Sequence, residues 1–89
     1  HDVDNTVVVA HANAFLGRVA VLGGALDEAS ARLQTALHLH HELGDWWGLS
    51  LDLEWLSALA AARGRHADAA RFAGAADALR DRVGMVLYP

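Results

Sequence analysis

The sequence predicts an all-α fold, about four helices arranged as antiparallel pairs that stack into a repeat array. Three observations predict it. Apolar residues recur at three- and four-residue steps through most of the chain, which is the spacing of one face of a helix. The sequence matches itself when slid by 40 residues, and repeats of that length signal helical arrays. The composition favours helix: 54% of the 89 residues are hydrophobic, Ala and Leu dominate them and Ile is absent. Neither Ala nor Leu loses much rotamer freedom in a helix.

The 40-residue offset aligns Leu16 with Leu56, Ala20 with Ala60, Gly24 with Gly64, Ala29 with Ala69, Ala36 with Ala76, Leu39 with Leu79 and Gly44 with Gly84. These identities fall where a helix, turn, helix unit needs them. They divide the chain into two units, about 6–44 and 46–84, and residues 1–89 are expected to be a stretch of one helical repeat domain.

The first helix is predicted over 6–22, where Ala12, Phe15, Leu16, Val19 and Leu22 form an apolar stripe, although Val7, Val8 and Val9 are poor helix starters. The second, over 25–43, shows the same spacing in Leu26, Ala29, Leu33, Ala36, Leu37 and Leu43. Asp27 and Glu28 in its first turn suit the positive end of the helix dipole. Gly44 stops it, because Gly takes the left-handed conformation at little cost, and Asp45 is a natural cap for the next helix. So short a link makes the second and third helices antiparallel neighbours. The third, over 46–63, carries two stripes. Leu49, Leu53, Leu56 and Ala60 form one; Trp47, Leu51, Trp55, Ala58 and Ala62 form the other. A helix apolar on two sides is expected to be covered on both, with Leu56 and Trp55 in the core. The fourth, over 66–83, presents Ala69, Phe72, Ala73, Ala76, Leu79 and Val83, and Gly84 is expected to end it.

Length and charge bound the function. A chain this short buries only about 60 to 65% of the surface it exposes when unfolded, so its core must be simple. Without Cys it has neither disulfides nor thiolate metal sites. No continuous apolar run is expected to reach the roughly 18 residues of a membrane span. A basic, apolar leader is missing too, and a soluble, cytoplasmic segment without membrane contact is expected. The net charge is −4, and every cation is Arg. Residues up to Glu54 carry −6 and those from Arg63 onward +2; the halves could attract each other, or Arg71, Arg80 and Arg82 could line one polar face, and solvated helix faces are the expected reading. The basic residues are too sparse for direct nucleic-acid binding.

The run Leu16-Gly17, Ala20, Gly24, Ala29, Leu33 and Ala36 resembles one tetratricopeptide repeat. The second unit departs from that pattern at Ser57 and Ala73, and its 40-residue spacing exceeds the usual repeat of about 34. The segments Leu43-Gly44-Asp45-Trp46-Trp47-Gly48, Ala61-Ala62-Arg63-Gly64-Arg65 and Phe72-Ala73-Gly74-Ala75-Ala76-Asp77-Ala78-Leu79-Arg80 resemble the helical-repeat region of large bacterial signalling ATPases. Among these are the LuxR-type and maltose-regulator-type transcriptional regulators. The resemblance implies a right-handed tetratricopeptide-like solenoid in a regulatory, signal-transducing context, flanked in that family by nucleotide-binding and DNA-binding domains. It implies no catalytic residue here. There is no Lys and no phosphate-binding Gly-rich loop.

Other clusters offer little chemistry. His38 and His41, at i and i+3 beside His40, would share a helix face, but no converging acids complete a metal site, and solvated histidines are expected. Asp52 and Glu54 point to different sides of their helix and are expected to be surface carboxylates. Ser30, Ser50 and Ser57 lack a base partner. No catalytic, cofactor or metal residue is therefore assigned. Trp46, Trp47, Arg63, Phe72 and Leu79 are the candidates for interaction, since aromatic and Arg side chains anchor interfaces. The expected function is non-catalytic protein–protein contact, with a protein or adjacent domains of the parent chain as partner. Sensing a small inducer on a concave face with Trp46, Trp47 and Arg63 is the alternative. Both ends of the array look adhesive, so the isolated chain is expected to form a homo-oligomer through its first and fourth helices.

Overall fold

The computed structural model describes residues 2–87 as four α-helices: α1 (Val3–Gly23), α2 (Leu26–Leu43), α3 (Trp46–Ala62) and α4 (His66–Leu87). Three turns of one design separate them. Gly24, Gly44 and Gly64 have φ of 78°, 66° and 75°, the left-handed conformation that only Gly adopts cheaply. After each Gly the next N–H reaches back to close the helix end: Ala25 to Ala20 at 2.9 Å, Asp45 to His40 at 2.9 Å and Arg65 to Ala60 at 2.8 Å. This is the double closure of a Schellman motif, and it satisfies carbonyls the helix leaves open.

Helix starts match their caps. The Asp2 side chain accepts from Asn5 N–H at 2.7 Å, so α1 begins at Val3, earlier than expected, and carries its three valines as interior residues. The Asp45 side chain accepts from Gly48 N–H at 2.9 Å and starts α3. The end of α4 differs from expectation as well. Gly84 does not take the left-handed form, and the helix runs through it to Leu87. Gly84 precedes Met-Val-Leu in the sequence, whereas Gly44 precedes the capping residue Asp45.

The helices are antiparallel neighbours in chain order. Arg32 reaches Asn13 and Leu33 packs on Gly17; His40 meets Asp52 and Asp27 meets Arg63; Ser57 meets Ala69 and Glu54 meets Arg80. Across α2 and α3, and across α3 and α4, one position rises as the other falls; α1 and α2 are joined by the tight turn at Gly24. α1 lies on α2 and α3 on α4; α2 and α3 join the two pairs, and α1 also touches α3. The assembly is thin, 37 × 31 × 15 Å. Its core gathers Ala20, Ala29, Leu33, Leu56 and Leu59, with Leu37, Trp55 and Phe72 packed against it.

The expected face of α1 is corrected. Its buried side is Ala10, Ala14, Gly17 and Ala20, and the stripe containing Phe15, Leu16, Val19 and Leu22 faces outward. α1 is apolar all round, so periodicity alone does not choose a side; close approach does. A Cβ on Gly17 would lie 2.7 Å from Leu33 Cδ2, so only a small-residue face lets α2 come this near. α1 is also long and apolar enough, by length and composition, to match a membrane-crossing helix. His11, Asn13 and Arg18 interrupt that run in the sequence. Elsewhere the stripes hold better. Ala29, Leu33 and Ala36 are buried on α2, and Leu56 and Ala60 on α3, while Ala58 and Ala62 are exposed.

Candidate functional site: apolar faces and a buried polar joint

α2 and α3 meet through a His–Asp pair inside the fold. His40 lies one turn beyond Ala36 on the buried face of α2, and Asp52 precedes Leu56 by one turn on α3. Their side chains are 2% and 1% exposed, and His40 Nδ1 lies 2.5 Å from Asp52 Oδ2. These two residues correct the sequence reading, which placed both in solvent. The missed signal was position: each falls on the helical stripe of its buried neighbours.

The rest of the joint explains how the pair is held. His40 Nε2 is 3.9 Å from Asp45 Oδ2, and His11 of α1 meets the His40 ring edge-on at 5.7 Å between centroids. Gly48 gives the imidazole its seat, since a Cβ there would lie 2.8 Å from His40 Cδ2 and 2.9 Å from Nε2. Burial pushes the Asp52 carboxyl above the ordinary value of 3.8, and the His40 hydrogen bond, the His40 charge and Arg18 draw it partly back. His40 Nε2, Asp52 Oδ1 and Arg18 Nε are buried without a hydrogen-bond partner. A His–Asp pair is two parts of a nucleophile-activating relay, but Nε2 here faces Gly48 and Asp45. The nearby Ser50 hydroxyl donates to the Trp47 carbonyl at 2.7 Å. Among the described residues no group of three or more His, Asp or Glu side chains is placed to hold a metal; His38 pairs with Glu42 on the surface at 3.3 Å.

The five interaction candidates do not converge. Trp46 and Trp47 are about half exposed at the start of α3, with Trp46 edge-on to His41 at 6.2 Å. Arg63 sits past the other end of the helix, about 25 Å away at 1.5 Å per residue. It donates to Asp27 at 2.7 Å and lines a cleft of about 160 Å³ with Arg65, Gln34 and Phe72. Phe72 is half-buried against the core, and Leu79 is half-buried on α4. Glu54, expected in solvent, is half-buried and paired with Arg80. Both the Arg63–Asp27 and Arg80–Glu54 pairs cross from the basic part of the chain to the acidic part.

Among the described residues, most of the exposed large apolar side chains lie on α1, and its outer face groups several of them. Phe15 is 61% and Leu22 77% exposed, and Val8, Leu16 and Val19 extend the same side. No family model matches the chain, and no curated protein or solved structure matches it.

Proposed function

We propose that this chain is a protein-contact segment of the helical-repeat kind, with a tetratricopeptide-like arrangement of its helix pairs, and that it serves a larger bacterial regulator without chemistry of its own. One observation carries the reading: the outer face of α1 exposes Phe15, Leu16, Val19 and Leu22 side by side, a larger apolar grouping than isolated surface residues make. Exposed Trp46 and Trp47 add a second aromatic contact point at the α2–α3 turn. The resemblance to signalling-ATPase repeat regions supplies the regulatory context. The inducer-sensing alternative is weaker on geometry, because its three candidate residues lie at opposite ends of α3. The cleft of about 160 Å³ is also small beside the several hundred Å³ of usual ligand pockets.

Site-specific photo-crosslinking tests the reading. With p-benzoylphenylalanine in place of Phe15, irradiation in cells should give a covalent adduct to a polypeptide. The same group in place of Thr35, exposed on α2, serves as the control and should give none. Equal labelling at both positions, or none at Phe15, overturns the contact role of α1.

A further inference from the structure

We infer that the His40–Asp52 pair is a face selector: it fixes which side of α3 lies against α2, and so keeps the tryptophan-bearing side of α3 turned outward. The inference goes beyond the contact role of α1 and does not depend on it. At 3.6 residues per turn, α3 offers a neighbour two sides. One holds Gly48, Asp52, Leu56 and Leu59, and it is the buried one. The other holds Trp47, Leu51, Trp55, Ala58 and Ala62, with no polar or charged side chain among them beyond the indole N–H groups. Trp47, Ala58 and Ala62 of that side are exposed. Burial of apolar area alone favours the second side, because it would put Trp47 and Leu51 inside and leave the Asp52 carboxyl in water.

The chain buries the carboxyl side, and α2 supplies the reason. Asp52 and His40 are almost fully enclosed, with His40 Nδ1 2.5 Å from Asp52 Oδ2. Gly48, one turn before Asp52 on the same side, makes room for the imidazole, since a Cβ there would stand 2.8 Å from His40 Cδ2. α1 adds to the same point: the His11 ring meets His40 edge-on, and the Arg18 charge acts on Asp52. The rest of the seam is Ala and Leu, with Ala29, Leu33 and Ala36 on α2 and Leu56, Leu59 and Ala60 on α3. Apolar side chains of that kind tolerate more than one arrangement, and cores built from them lose uniqueness before they lose stability. Among the described residues, Ser50 is the other buried polar side chain, and it bonds to the Trp47 carbonyl of its own helix, so it says nothing to α2. A rolled α3 would part His40 from its acceptor and leave a buried imidazole unpaired. Against apolar residues of similar shape such a pair need add no net stability; its effect is to penalise every arrangement that separates the partners.

Replacing both partners by apolar residues of similar volume, His40→Leu together with Asp52→Val, tests this. The native chain should show three indole N–H resonances, one each for Trp46, Trp47 and Trp55. The double variant should stay helical by circular dichroism and melt no lower than the native chain, yet show extra or broadened indole resonances. Its tryptophan fluorescence should also be quenched less by acrylamide, because the Trp47 side is inside in part of the population. Asp52→Asn still accepts from His40 Nδ1–H and should keep the three native resonances. Three sharp, native-like resonances in the double variant overturn the selector role, and so does splitting in Asp52→Asn. A double variant that loses its helices, or melts far below the native chain, makes the pair a source of stability and overturns the selector role as well.

Discussion

Gly17 holds the closest approach in the first helix pair. A Cβ added there would stand 2.7 Å from Leu33 Cδ2, 2.8 Å from Cγ and 3.3 Å from the Leu33 backbone N, so Leu33 has almost nowhere to retreat. Overpacking of this kind usually costs about 1 to 3 kcal/mol, and Gly17→Ala should lower the urea midpoint accordingly. Leu33 is fully buried, and Leu33→Ala alone should cost about 2 to 5 kcal/mol. In the double variant the clash is gone, so the cost of Gly17→Ala should largely vanish. Additive losses would mean that the two sites do not touch. The second unit already carries a version of this exchange, Ser57 and Ala73 at the matching positions, with the Ser57 hydroxyl donating to the Ala69 carbonyl at 2.7 Å.

The joint between α2 and α3 makes stability depend on pH in a definite sense. Burial raises the Asp52 carboxyl above 3.8, so the folded chain holds a proton that the unfolded chain releases. The stability this provides is complete below 3.8 and is lost as pH rises through the higher folded value. Asp52→Asn removes the titration yet keeps an oxygen to accept from His40 Nδ1–H. Relative to the native chain, the variant should therefore gain stability as pH climbs above about 4 and level off once pH has passed the raised folded value of the Asp52 carboxyl. Urea midpoints of the two chains across that range check it; a difference that does not vary with pH would mean that the Asp52 carboxyl is solvated. Helices and turns were largely readable from the sequence, because periodicity and glycines act locally: Gly24, Gly44 and Gly64 all end helices. Gly84 was not, since a glycine stops a helix only when the residues after it support the stop. The orientation of α1 was unreadable because both its sides are apolar, and Gly17 decides only once Leu33 is opposite. His40 and Asp52 were misread because polarity was weighed above their place on the buried stripe, and each is tolerable inside only with the other present. Of the candidate contact residues, the sequence singled out Trp46 and Trp47 as aromatics suited to anchoring an interface, but it did not show that Arg63 lies a helix length away from them.

At the scale of the whole molecule, association should weaken sharply with charge on α1 and leave the fold in place, because Phe15 and Leu22 hold little of the core. The thin, neighbour-to-neighbour packing has a further consequence. Among the described residues, apart from the touch of α1 on α3, every helix contact joins elements adjacent in the chain. Little loop-closure entropy must be lost before native contacts form, and chains of that topology fold in microseconds to milliseconds. Refolding after rapid dilution from urea should accordingly finish within the first few milliseconds. The two α-hairpins each have their own turn and their own packed side, and they share the line of Leu33, Leu56, Leu59 and the His40–Asp52 pair. That line is where cooperativity resides: weaken it, and the two halves should melt as two events where the native chain melts as one.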